Sequence, residues 1–312
     1  MQIFDPAAAQ AALPFERLVP ALQSLFAQGC EVPARHVHEV SVPSGTSFTS
    51  LVMPAWIPGR YYGIKTINIA PGNAALGLPG LHATYLLFDG STGVPLALID
   101  GDVLTARRTA AASALAASRL AREDARHLLV IGAGRIAALL PPAYRTVRAI
   151  EQVSVWARSP HKAQALARSW QAQGFAARAV ADLPTACAEA DIVSCATLAA
   201  SPLVHGAWLR PGTHLDLIGS FTPAMREADD DCFRGAALYV DSEEALKKSG
   251  DLLGPLQRGV LRAEDLRGTL ATLSREDGAG RRSAGERTVF KSVGNALADL
   301  AAAILVVEAS KA

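Results

Sequence analysis

The sequence predicts an α/β protein in two parts: a doubly wound parallel sheet and, ahead of it, a mostly antiparallel α+β region. Three observations carry this. Over residues 125–241, short apolar strand candidates (HLLVI, QVSVW, ARAV, DIVSCA, THLDLIG, ALYVD) alternate with helical stretches, the pattern of parallel βα units. Before residue 100 the chain instead offers short strands at 36–42, 47–53, 62–70, 82–89 and 95–100, separated by Pro- and Gly-bearing turns. At 312 residues the chain is long enough for two cores.

Helices are expected at three further places. Residues 15–28 predict the first. The stretch TARRTAAASALAASRLA is expected to start at Thr105, whose hydroxyl can cap it, and to bridge the two parts. From Val289, VFKSVGNALADLAAAILVVEA reads as one long amphipathic helix that packs back on the first part. The expected domains are therefore 1–115 with 291–312, and 116–290.

Composition narrows the functional classes. Half the residues are hydrophobic, 19 % are charged and the net charge is +1, so no global field recruits nucleic acid or an anionic membrane. Cys30, Cys187, Cys195 and Cys232 are scattered without a CxxC pair, which argues against a metal cluster or disulfide framework and for a cytoplasmic setting. His36 and His38 would share a strand face, but no third ligand accompanies them. The N-terminal stretch carries Asp5 and Glu16 instead of the basic and apolar regions of a signal peptide, and no apolar run has membrane-span length.

The strongest local signal is a buried strand at 128–131 running into Gly132-Ala133-Gly134, with the small Ala137 three residues on. A dinucleotide site demands this spacing. One glycine makes the tight turn, the next admits a pyrophosphate to the backbone, and a small third residue lets helix and strand pack closely. Arg135 and Ile136 then open a helix whose first amides face the phosphates. This is a Rossmann arrangement. The strand at 153–156 is followed by Arg158-Ser159 with no acid to bind a ribose 2′-hydroxyl, so NADP(H) is favoured over NAD(H). Pro141-Pro142 is expected to kink or end the helix early.

Several stretches together resemble the ornithine cyclodeaminase/mu-crystallin family: LVMPAW, YYGIKTINIAPGN, GLPGLHATYLLFDGSTGVPLALIDGDVLTARRTAAASALAA, GAGRIA, THLDLIGSFTPAMREADDD, YVDSEEALKKSGDL and TVFKSVGNALADLAAA. The resemblance runs from about residue 35 to the end. It implies a homodimer formed by the N-terminal domain, and a substrate α-carboxylate held by Lys65, Arg108 and Arg35. Arg108 would lie in the first turn of its helix, where free amides add to the clamp, with Arg107 facing away. Lys65, beside the reacting carbon, would also trade a proton; His82 is a weaker cleft candidate. Ala196, Thr197, Gly219 and Lys291 complete the expected cofactor-binding set.

One position departs from the family's cyclodeaminases. They carry an aspartate where this chain has Phe221, and phenylalanine can neither accept a proton nor pair with an ammonium group. Asp216, inside a strand, is expected to face packing and is no substitute. Members with this GSFTP pattern resemble reductases of cyclic imino acids, with Phe221 against the substrate ring. The expected activity is thus NADPH-dependent reduction of Δ1-pyrroline-2-carboxylate, Δ1-piperideine-2-carboxylate or both. The alternatives are an ornithine cyclodeaminase or related amino-acid dehydrogenase, and a mu-crystallin-like protein that binds NADPH and a small ligand.

Overall fold

The computed structural model describes residues 1–43, 45–275 and 279–310. Two compact units emerge, Met1–Arg108 with Asn295–Ala312, and Thr109–Gly294.

The first unit opens with β1 (Gln2–Phe4), α1 (Pro6–Ala12) and α2 (Phe15–Gln28). Asp5 caps α1 by accepting from Ala8 N at 2.8 Å. In α2 the buried residues Phe15, Leu18, Val19, Leu22 and Leu25 recur at the three- and four-residue spacing that makes one apolar face. Then come β2 (His36–Val40), β3 (Phe48–Ile57), β4 (Tyr61–Ile69), β5 (Leu81–Asp89), β6 (Pro95–Asp100) and α3 (Gly101–Leu120), which continues into the second unit. The strands form one sheet in the order β1-β6-β5-β4-β3-β2, antiparallel except for the parallel pair β1–β6. One face of this sheet is buried through Met53, Ala55, Ile67, Tyr85, Leu87, Ala97 and Ile99. The other carries half-buried apolar side chains, with Pro54, Ile64, Leu86 and Leu98 in one cross-strand row.

The second unit holds β7 (His127–Ile131), α4 (Arg135–Arg145), β8 (Gln152–Trp156), α5 (Pro160–Ala172), β9 (Ala176–Ala179), α6 (Leu183–Glu189), β10 (Ile192–Cys195) and β11 (His214–Leu217). After them come β12 (Ala237–Val240), α7 (Ala245–Lys248), α8 (Gly250–Gln257), β13 (Leu266–Thr269), α9 (Leu270–Arg275) and β14 (Thr288–Lys291). All eight strands are parallel, in the order β13-β12-β14-β11-β10-β7-β8-β9. The strand order reverses between β7 and β10, and in such sheets ligands sit beyond the carboxyl ends at that switch point.

Four expectations need correction. The stretch from Val289 is not one helix: Thr288–Lys291 is a fully buried strand inserted between β11 and β12, and α10 (Ala296–Ala309) begins only after Asn295 caps it through Leu297 N at 2.8 Å. A run as short as TVFK fits a buried strand as well as a helix, and pairing on both sides decides it. Nor is α10 amphipathic; it packs among α1, α2 and the strands of the first unit and is buried almost all round.

Helix α3 starts at Gly101, where Asp100 accepts from Val103 N at 2.8 Å, so Thr105 lies inside it and Arg108 sits about two turns in, away from the free amides. Finally, α4 does not end at Pro141-Pro142 but continues to Arg145. A proline at 142 cannot donate to the Ala138 carbonyl four residues back, and the indole Nε1–H of Trp170 donates to that oxygen instead, at 3.0 Å. Two strands beyond those expected, β1 and β13, join the sheets, and β3 continues past residue 53 to Ile57.

Candidate active site

Two sets of residues stand out, one in each unit. In the second unit, Gly132 has φ +119°, and a Cβ there would come within 2.5 Å of the Ala196 carbonyl, so only glycine makes this turn at the switch point. Gly134 differs. A Cβ on it would meet nothing within 4 Å, so the protein's own packing does not call for glycine there; a ligand lying against the backbone does. Gly134 is exposed and is the N-cap of α4, with no side chain satisfying the helix's first amides, while Ala137 is wholly buried against the sheet. Ala133 and Ile136 are half-buried and Arg135 is exposed. The cradle therefore fits a pyrophosphate.

Past β8, Arg158 is exposed and Ser159 caps α5, accepting from Lys162 N at 3.5 Å while keeping its hydroxyl proton to donate. Neither Asp nor Glu stands between β8 and α5.

The loops after β10 and β11 are locked together by a residue the sequence reading did not single out. Glu227 is wholly buried and accepts from Thr197 N (2.8 Å), Thr197 Oγ1 (2.7 Å) and Gly219 N (2.7 Å). Gly219 is forced by closeness, since a Cβ would lie 1.8 Å from the Thr197 carbonyl. Beneath them Asp251 accepts from Glu227 N at 2.8 Å and pairs with Lys291 Nζ at 3.3 Å. Lys291 is 0 % exposed, and its ammonium neutralises part of this acidic cluster through Asp251. Burial raises the Glu227 carboxyl above its ordinary range, against the pull of Lys291. In the sequence Glu227 sits beside the run ADDD, which reads as solvated acids.

Leu198 (74 % exposed) and Phe221 (40 %) are the exposed large hydrophobic residues of this unit among the described residues, and both follow the carboxyl ends of the neighbouring strands β10 and β11. Asp216 faces packing, as expected: Tyr144 Oη (2.8 Å), Ser194 Oγ (2.5 Å) and Ser113 Oγ (3.1 Å) all donate to it.

The first unit gathers the expected carboxylate-binding residues. Lys65 of β4 points to the buried face and is 0 % exposed. Its Nζ lies 2.5 Å from Oδ2 of Asp299, a wholly buried residue of α10, and Arg108 Nε donates to Asp299 Oδ1 at 2.7 Å. Burial pushes the Lys65 ammonium down to about 8; Asp299 opposes this, while Arg108 and Arg35 add to it. Arg35 is half-buried ahead of β2. Across the strand pair from Lys65 is Tyr85, also buried, whose hydroxyl occupies space that a Cβ on Gly63 would invade at 2.0 Å. The Lys65 ammonium has two protons beyond the one it directs at Asp299 Oδ2, and the Tyr85 hydroxyl has no hydrogen-bond partner, so both retain capacity for a ligand.

Arg107 turns elsewhere, with Nε donating to the Leu13 carbonyl at 2.7 Å and its guanidinium 4.3 Å over the Phe15 ring. His82 is exposed on β5, and His36 and His38 stack at 6.4 Å on the exposed strand β2.

A parallel sheet with an open glycine turn at its switch point, preceded by a mostly antiparallel α+β unit, defines a Rossmann-type α/β protein. The chain belongs to the ornithine cyclodeaminase/mu-crystallin family, whose model matches residues 24–312. It is 46 % identical over 277 residues to a Delta(1)-pyrroline-2-carboxylate reductase of Paracoccus denitrificans, covering 88 % of this chain and 87 % of that one. Among solved structures it is similar to the Thermococcus litoralis Delta(1)-pyrroline-2-carboxylate reductase in complex with NADH and L-proline (32 % identity, TM-score 0.92, 100 % and 98 % of the two chains). It is also similar to an archaeal alanine dehydrogenase dimer with bound NAD (28 % identity, TM-score 0.90, 100 % and 96 %).

Proposed function

We propose that the protein reduces a cyclic α-imino acid, Δ1-pyrroline-2-carboxylate or its six-membered homologue, to L-proline or L-pipecolate. The observation that carries this reading is the charge balance around Asp299. Two buried cations, Lys65 and Arg108, share one carboxylate, so a dry site is left one negative charge short. A substrate carboxylate supplies that charge and takes up the unused Lys65 donor. The relatives that bear reductase names act on a ring with this carboxylate next to C=N.

Reduced nicotinamide, when bound, supplies the hydride that adds to C2 of the imine. Gly132, Ala133, Gly134, Arg135 and Ile136 would hold the pyrophosphate, and Ala196, Thr197 and Gly219 the nicotinamide end. Lys65 and Arg108, with Arg35, hold the substrate carboxylate and fix C2 for attack. The ring nitrogen gains one proton as C2 gains the hydride, and Lys65, with its lowered proton affinity, is the group suited to deliver it. Phe221 offers apolar surface where a cyclodeaminase needs a carboxylate.

The preferred cofactor is proposed to be NADP(H), because Arg158 and the Ser159 hydroxyl can meet a 2′-phosphate and no acid repels it. The test offers the purified protein each cyclic imine with NADPH or NADH and, separately, ornithine with NAD. Imine-dependent loss of reduced nicotinamide without ammonia release from ornithine is the expected result; faster ammonia release would restore the cyclodeaminase reading. Arg158→Asp should weaken NADPH roughly 10- to 100-fold while sparing NADH. Equal Michaelis constants for the two cofactors in the unaltered protein would remove the NADP(H) preference.

A further inference from the structure

The sequence gives Asp299 no visible role, since it is a single acid in the otherwise apolar stretch ALADLAAAILVV. In the fold it is the hub of the first unit's polar core. Its two oxygens are divided between two site cations on different elements, Oδ2 to Lys65 of β4 and Oδ1 to Arg108 of α3. All three side chains are buried. No backbone hydrogen bond fixes the spacing between an ammonium on a sheet and a guanidinium on a helix; a carboxylate that touches both does.

The hydrogen bond from Arg108 is made by Nε, which leaves the Nη edge for a second carboxylate. Asp299 thus engages Arg108 through Nε and Lys65 through the ammonium.

We propose that Asp299 is a positioning residue for the reaction: it sets the Lys65–Arg108 spacing that matches a substrate carboxylate and keeps Lys65 protonated at the pH where the enzyme works. This rests on the imino-acid reductase reading for its substrate but on the first unit's geometry for its mechanism. The groups that face Lys65 are Asp299 on α10, Arg108 on α3, Tyr85 on β5 and Arg35 ahead of β2; Cys30, past α2, faces Tyr85. Among these Asp299 is the acid that opposes the effect of burial on Lys65, while Arg108 and Arg35 reinforce that effect.

The experiment compares Asp299→Asn and Asp299→Glu with the unaltered full chain. Three quantities are read: melting temperature, the pH profile of imine reduction, and the titration of Lys65 by carbon NMR of lysine-labelled protein. Six lysines make the spectrum simple, and Lys65→Met assigns the signal. In Asp299→Asn the Lys65 midpoint and the alkaline limb of kcat/KM should both move to lower pH, by about one to three units. In Asp299→Glu the midpoint should stay near the unaltered value, while the longer side chain disturbs the spacing and lowers kcat/KM by about tenfold or more.

A purely structural aspartate predicts otherwise: a lower melting temperature and less active protein, with midpoint and limb unmoved, and that result overturns the proposal. If Asp299→Asn does not fold, Asp299→Glu decides, and unchanged kcat and KM there also overturn it. The NMR titration needs no substrate, so a protein that fails to reduce imines would refute the function while leaving the Lys65–Asp299 coupling to stand or fall separately.

Discussion

Lys65 sits where burial and three charged neighbours compete over one proton. With a free-site midpoint near 8, its charge is present below that pH and lost as pH rises through it. The kcat/KM for imine reduction should therefore fall along an alkaline limb near pH 8. A bound carboxylate adds an anion beside the ammonium, so the limb in kcat should lie at higher pH than the limb in kcat/KM. Coincident limbs in a full pH–rate study would separate Lys65 from substrate binding. The sequence shows this residue only in part. The alternating pattern of β4 by itself reads as a solvent-facing lysine; the family resemblance singles out Lys65 and, in the TARRTAA stretch, Arg108. Their common partner leaves no spacing signal, because Asp299 and Arg108 are 191 positions apart. Tyr85 is hidden for the same reason, its setting depending on Gly63 across a strand pair.

At the scale of elements, the two glycines of the β7–α4 turn make opposite predictions. Gly132→Ala meets the Ala196 carbonyl in a backbone conformation that side chains rarely adopt, so it should lower the melting temperature of the cofactor-free protein markedly. Gly134→Ala meets nothing, so it should leave that temperature within a degree or two and weaken cofactor binding by roughly tenfold or more, as calorimetry and cofactor titration can show. Equal cofactor affinity in Gly134→Ala would mean that the open turn is not a pyrophosphate cradle. This turn was legible because its demands are local. The rest of α4 was not: Pro141-Pro142 reads as a break or kink, and the indole that takes up the carbonyl Pro142 cannot serve comes from Trp170, a helix further along the chain. β14 was obscured differently, since only its pairing with β11 and β12 distinguishes TVFK from the start of the helix that follows.

For the whole molecule, the outer face of the first unit's sheet bears on assembly. Pro54, Ile64, Leu86 and Leu98 form an apolar row, and Trp56, Tyr62 and Phe88 form a second, with ring centroids 6.2 and 5.5 Å apart. A contiguous apolar surface of this kind is expected to be covered, and a second copy of the same face would meet it by two-fold symmetry. The protein should therefore behave as a homodimer by light scattering at micromolar concentration. Ile64→Glu, on the face opposite Lys65, should shift it toward monomer by about tenfold or more in dissociation constant. A monomeric unaltered protein would discard this assembly.

The chain leaves the first unit along α3 and returns to it only with α10, after β14 is complete. On a ribosome this order has a kinetic meaning. The first sheet, its helices α1 and α2, Lys65 and Arg108 all emerge early, yet the helix that buries them, and the carboxylate that neutralises them, is made only after the whole second unit. Until then two cations and a broad apolar surface wait uncovered while the entire second unit is synthesised. The nascent chain should thus be most prone to aggregation before α10 emerges, and a protein truncated before residue 295 should retain the parallel sheet while losing the site of Lys65 altogether.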